Sequence, residues 1–352
     1  MMRHIIAATA AGLLIATGTA AAQTDEAETR KAQPAEMMPL ADKGIINALA
    51  RAGDQFVAAG ERGHILLSDD GDSWRQVPVP VRGMLTRVVF RDATHGWATG
   101  WAGTEPGAIF RSTDGGETWS LVNFEPDWGK PYFDILPTGA DSATLVGSNG
   151  LMRTTDDGGE SWTLVDSDVF AAGFHLYDLE QLADGTLLIA GERGMLARSV
   201  DGDTWDMLVP PYVGSYFGVL PVGEHGAVLY GLQGRVLYAE DVRALPALDD
   251  PMAYDPFAAE SITDPVVLEE MGWRRLDNPS NESLFGGDID DDGELTLVGV
   301  DGAIVHGDLE SGELHLIESP TAEPLSDLIR RGDDLLLCGR TGLHTGGLTR
   351  KR

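Results

Sequence analysis

A Gly-x-x-Gly sequence, flanked on both sides by short apolar runs, recurs seven times down this chain. Its first glycines are Gly60, Gly100, Gly147, Gly191, Gly231, Gly299 and Gly339, at steps of 40, 47, 44, 40, 68 and 40 residues. The Gly100 copy is stretched, its second glycine falling at Gly107. Each copy reads as two β-strands joined by a tight turn in which the glycines supply positive φ. Forty-odd residues holding about four short strands is the size of one β-propeller blade. Seven motifs therefore predict an all-β chain folded as a seven-bladed β-propeller.

A second repeat follows each of the early copies. It runs Asp70-Gly-Asp-Ser-Trp74, Asp114-Gly-Gly-Glu-Thr-Trp119, Asp157-Gly-Gly-Glu-Ser-Trp162 and Asp201-Gly-Asp-Thr-Trp205, each preceded two residues earlier by Ser or Thr. The Asp side chain caps the turn, Gly takes the left-handed position, and the Trp packs over the hairpin. These residues resemble the Asp-box (BNR) hairpin of sialidase-like propellers, a device that is structural wherever it occurs. Asp70, Trp74, Asp114, Trp119, Asp157, Trp162, Asp201 and Trp205 are accordingly expected to hold the fold.

After Gly342 only about one strand's length of chain remains, which leaves the last blade a strand short. Residues 35–40 precede the first complete blade, and they are expected to add the missing outer strand and close the ring. An open solenoid would leave unpaired edges at both ends. The step of 68 marks an insertion in blade five, residues 240–272, with nine acids, one Arg and four prolines. That composition predicts an exposed acidic loop. The propeller is thus expected over residues 35–352.

The N-terminus reads as an export signal. A short basic stretch leads into an apolar run over residues 5–19, too short to span a bilayer comfortably, and Ala20-Ala21-Ala22 fits a cleavage site. Residues 1–22 are expected to be removed, residues 23–34 to act as a linker, and the mature monomer to lie in the periplasm without inserting into the membrane. The formal net charge of −31 argues against nucleic acid as a partner. The single cysteine, Cys338, allows no intrachain disulfide and no Cys-based metal centre.

In a propeller the Gly-x-x-Gly turns and the inter-blade loops share one face, and the Asp-box turns lie on the other. The first face carries Arg62, Trp101, Arg193 and Arg340 in its turns. Trp128, Tyr132, Phe133, Phe170, His175, Tyr212, Tyr216, Phe217 and Phe285 lie in its loops. Arginine next to aromatic side chains is a common composition for protein-binding surfaces, so Arg62, Trp101, Arg193 and Arg340 are the candidate partner-binding residues.

No catalytic set stands out. Glu61 and Glu192 are the one carboxylate pair to weigh as a glycosidase centre, but they belong to blades one and four, and each has an Arg neighbour. The run Asp288-Ile-Asp290-Asp-Asp292-Gly293 mimics the start of a calcium loop, yet its twelfth position is Gly299. A plain turn is expected. No metal site and no cofactor is predicted.

The whole mature chain resembles the photosystem II assembly and stability factor family. The resemblance is carried by "VAAGERGHILLSDDGDSW" at 57–74, "HGWATG" at 95–100 and the three later Asp-box blades. It is closest to proteobacterial periplasmic members, which commonly accompany transporters of the RND (MMPL-like) type. The resemblance implies a non-enzymatic scaffold that assists assembly of a membrane-protein complex from its periplasmic side. A glycan-binding or sialidase-like glycosidase propeller is the alternative, and a ligand-binding subunit of an export system is a third.

Overall fold

The computed structural model describes residues 33–102, 105–124 and 131–351. The expected signal peptide, most of the expected linker, and Trp128 lie outside them. Seven antiparallel sheets follow one another along the chain, six of four strands and one of three among the described residues. The protein is a seven-bladed β-propeller. Among the described residues, no helix is long and apolar enough to cross a membrane.

The innermost strands are Ile46–Ala52, Leu85–Phe90, Tyr132–Pro137, Leu176–Gln181, Tyr216–Val222, Leu284–Ile289 and Leu325–Arg331. Each touches the inner strand of the next blade, and Ile46–Ala52 touches Leu325–Arg331, so the ring is closed. The first residue of each inner strand is large, apolar and fully buried, so the core lies between neighbouring blades.

The Gly-x-x-Gly turns differ from expectation in where the left-handed backbone falls. The first glycine is extended, with φ −162° at Gly60 and −169° at Gly147. Glycine is needed there because a Cβ would collide with the carbonyl oxygen just ahead of the inner strand, Ile45 at Gly60 and Pro131 at Gly147. Positive φ occurs in the last two residues of the turn, as at Arg62 (57°) and Gly63 (75°).

Ring closure also departs from expectation. Blade seven has three strands, and residues 35–40 do not pair with it. They run along the rim of blade one instead: the Ala35 N–H donates to the Val79 carbonyl at 3.0 Å, and the Arg82 N–H donates to the Gln33 carbonyl. Blade seven is joined to blade one by other means. Asp327 accepts the Leu49 N–H at 2.9 Å, and Arg331 donates to the Asp70 carbonyl at 2.7 Å. A mixed core of Ile46, Leu49, Phe56, Leu336, Cys338 and Leu343 fills the seam. The chain's other end pairs backward, the Glu318 N–H donating to the Thr349 carbonyl beside blade six.

The insertion is no free loop. Residues 246–248 pair with Met207, Leu208 and Val209 at the outer edge of blade four. Val242, Leu245 and Leu268 are buried against Leu208 and Trp273. Arg198 donates to the carbonyls of Val242, Arg243 and Leu245. The acids that suggested exposure serve as caps: Asp241, Asp250 and Asp264 each accept the N–H two residues on, and prolines open the turn at Pro251 and the helix Pro265–Glu270.

Candidate functional site

Every inner strand carries a β-bulge after its first residue. A bulge adds one residue to one strand and re-aims its side chain. The seven bulged residues are Asn47, Thr86, Phe133, Tyr177, Phe217, Phe285 and Ser326, and all line the mouth of the central channel. Blades three to six contribute the aromatics, which form a continuous arc. Ring centroids lie 5.5 Å apart for Phe133–Tyr177, 5.5 Å for Tyr177–Phe217 and 5.3 Å for Phe217–Phe285. His175 packs edge-on to Phe133 at 5.8 Å. The remaining arc is polar.

One step further along the strands are Asp134, Asp178 and Asp327. Each accepts a backbone N–H of the following blade: Asp134 from Leu179 at 2.9 Å, Asp178 from Val219 at 2.7 Å, and Asp327 from Leu49. Asp288 does the same for Arg330 at 2.9 Å. At the first two junctions the bulged residues take over, Asn47 donating to the Leu85 carbonyl at 2.7 Å and Thr86 to the Tyr132 carbonyl at 3.1 Å. The blades are therefore stitched together by side chains near the axis.

Asp134, Asp178 and Asp327, with Glu180, line a cavity of about 190 Å³ beneath the aromatic arc. Arg87 reaches in and pairs with Asp134 at 2.9 Å and Glu180 at 3.4 Å. Burial pushes the Asp178 carboxyl well up, Glu180 up to about 7 and Asp327 up to about 6, against the pull of Arg87.

The candidate residues in the turns are spread around the ring. Arg62 is exposed and lies 3.5 Å from the Met38 sulfur. Arg340 is exposed, 3.7 Å from Glu323. Trp101 is 41% exposed. Among the described residues, no hydrogen bond, ion pair or ring contact joins these three to one another. Arg193 is exposed but engaged: it pairs with Glu192 at 3.3 Å, stacks on Phe257 of the insertion at 4.4 Å, and its carbonyl accepts from Tyr254. Glu61 and Glu192 are committed to their own turns, accepting the N–H of Ile45 and of His175.

On the opposite face Asp70 accepts the N–H groups of Asp72 and Ser73, and Asp157 accepts the Ser161 N–H and hydroxyl. Asp114 and Asp201 are placed in the same way against Thr118 and Thr204. Trp74 and Trp119 donate to Gly71 and Gly116. Trp119, Trp162 and Trp205 stack edge-on against Phe90, Trp97 and Phe170. In the Asp288–Gly293 stretch Asp288 and Ile289 end the inner strand of blade six, and Asp290 opens a turn by accepting the Asp292 and Glu294 N–H groups.

Of the loop aromatics, Tyr132, Phe170, Tyr212 and Tyr216 are buried. Phe133, Phe217 and Phe285 reach the channel mouth. Sequence reasoning missed Tyr177 and the aspartates. The signal was present: Tyr132-Phe-Asp134, Leu176-Tyr-Asp178 and Leu325-Ser-Asp327 place the same kinds of residue at the same strand positions.

Residues 98–204 match the family described as photosynthesis system II assembly factor YCF48. Over that stretch the chain is similar to YCF48. Two solved structures resemble it over nearly their whole length. "YCF48 bound to D1 peptide" has a TM-score of 0.63 at 16% identity, covering 90% of this chain and 96% of that one. "YCF48 from Cyanidioschyzon merolae" has a TM-score of 0.63 at 15% identity, covering 89% and 98%. The WD40 propeller domain of Doa1 follows with a TM-score of 0.60 at 12% identity, covering 89% and 96%. At these identities the structural likeness is one of fold. No curated protein sequence matches the chain.

Proposed function

We propose that this YCF48-like propeller is a non-enzymatic periplasmic scaffold. After cleavage behind Ala22 it binds, as a monomer, a membrane-protein complex from its periplasmic side. A transporter of the RND (MMPL-like) type is the partner proposed. The observation that carries this reading is the ring of bulges, which presents aromatic side chains on the Gly-x-x-Gly face of a highly acidic molecule. Binding by a related fold supports it, since one YCF48 structure holds a D1 peptide.

The partner rests on the exposed turn residues Arg62, Trp101 and Arg340 around that ring. Arginine and tryptophan are the commonest anchors in such surfaces, worth about 2 kcal/mol or more when desolvated. Detergent-solubilised membranes passed over the mature protein should yield a transporter identifiable by mass spectrometry. The combined Arg62→Ala, Trp101→Ala, Arg340→Ala variant should lose at least about tenfold in recovery while keeping its melting temperature. Trp119→Ala, on the other face, should cost about 3 kcal/mol of stability and leave recovery unchanged. Undiminished recovery by the triple variant overturns this choice of surface.

A further inference from the structure

The cavity under the aromatic arc is poorly neutralised. Asp134, Asp178, Glu180 and Asp327 line it, and Arg87 is the one cation among its lining residues. Arg87 is already shared between Asp134 and Glu180. Asp178 is only 8% exposed, and one of its oxygens takes the Val219 N–H. Its other oxygen has no hydrogen-bond partner among the described residues.

Tyr230 points to the same place. It belongs to the second strand of blade five, Gly226–Gly231, one strand out from the channel. Its ring crosses inward through the space that a side chain at Gly218 would fill. It is 5% exposed and lines the cavity, yet its hydroxyl has no hydrogen-bond partner among the described residues. A hydroxyl that faces the cavity with no protein partner is free to accept from a donor held there. Aromatic walls above a buried carboxylate are the recognition chemistry of an organic cation. A bare metal ion fits less well: among the described residues, no three His, Cys, Asp or Glu side chains converge to hold one.

We propose that the channel mouth is a binding site for an ammonium or guanidinium group. The Phe133–Tyr177–Phe217–Phe285 arc walls the cation, Asp178 supplies the counter-charge, and the Tyr230 hydroxyl accepts one of its N–H groups. The cation is carried either by a small free molecule or by a Lys or Arg side chain of a protein. This site rests on the same aromatic ring as the proposed function but uses none of Arg62, Trp101 and Arg340, so the triple variant tests the partner surface and Asp178→Asn tests the cation site.

The test is calorimetric titration of the mature protein at low salt with three probes. They are agmatine, an acetylated and amidated Gly-Ser-Arg-Gly-Ser peptide, and that peptide with citrulline in place of arginine. Saturable one-to-one binding of a cationic probe is expected, with citrulline weaker by about tenfold or more. Binding by agmatine alone assigns a free cation, and tighter binding by the arginine peptide assigns a side chain. Affinity should rise from pH 6 to pH 8. A cation favours the ionised carboxyls, and Glu180, facing Arg87, Asp134, Asp178 and Tyr230, holds its proton up to about 7. Asp178→Asn should weaken binding by about tenfold or more, and Tyr230→Phe, which changes no packing volume, by several-fold. No saturable binding by agmatine or the arginine peptide, equal binding of citrulline, or an unchanged affinity in Tyr230→Phe overturns the proposal.

Discussion

Two populations of carboxylate do opposite work in this molecule. Asp70 and Asp157 sit in hairpin turns, and their acceptance of turn hydrogen bonds holds both down to about 2. Glu180 and Asp327 face the channel, and burial lifts them to about 7 and about 6. The signs of the two contributions differ. A hairpin Asp is more acidic folded than unfolded, so its stabilisation is present above about pH 4 and fades as the pH falls toward 2. A channel carboxyl holds its proton more tightly when folded, so the folded state is favoured at low pH and loses that advantage as the pH rises from about 4 through about 7. Urea denaturation across pH 3–8 should therefore show a stability maximum near pH 4. The fall toward pH 8 should be of order 2 kcal/mol. Glu180→Gln with Asp327→Asn should flatten that fall and leave the acid limb untouched. A curve that climbs steadily to pH 8 would show the channel carboxyls to be ionised and well solvated.

At the scale of the element, composition misled where capping did the work. Nine acids and four prolines read as an exposed loop. Three of those acids close the N-termini of short turns and a helix, and the few apolar residues between them reach the core of blades four and five. Leu268 is 2% exposed. Leu268→Ala should cost about 2–4 kcal/mol, measured as a shift in denaturation midpoint. An exposed loop would give less than about 0.5 kcal/mol. The Gly-x-x-Gly turn shows the complementary case. The motif and its strands were legible, yet the conformational role of the first glycine was not. Its need for a missing Cβ arises from a carbonyl about fifteen residues upstream, which local turn chemistry does not report.

For the whole molecule the question is how the ring closes. The seam between blades seven and one is carried by the buried Asp327 and the apolar cluster around Leu49, Phe56 and Leu336. Residues 33–38 lie outside that seam, along blade one. Asp327→Ala strands the Leu49 and Leu328 N–H groups and should cost about 1–3 kcal/mol. Deleting residues 33–38 removes mostly exposed contacts and should cost about 1 kcal/mol or less. Thermal unfolding of both variants checks this ordering, and its reversal would restore the clasp.

Blade number, the Gly-x-x-Gly motifs and the four Asp-box hairpins with their tryptophans were determined by sequence alone, because each rests on hydrogen bonds between residues a few positions apart. Such local chemistry repeats with the blade and shows as a period. Tertiary structure alone decided which side chains meet at the axis. Leu49 and Asp327 are 278 positions apart, and Tyr230 enters the channel only because Gly218 leaves room for it. The bulges matter most here, since one extra residue per inner strand turns Phe133, Tyr177, Phe217 and Phe285 toward the channel rather than the inter-blade core. That rotation is set by pairing with the neighbouring strand and by the curvature of a closed ring, and no stretch of sequence carries either.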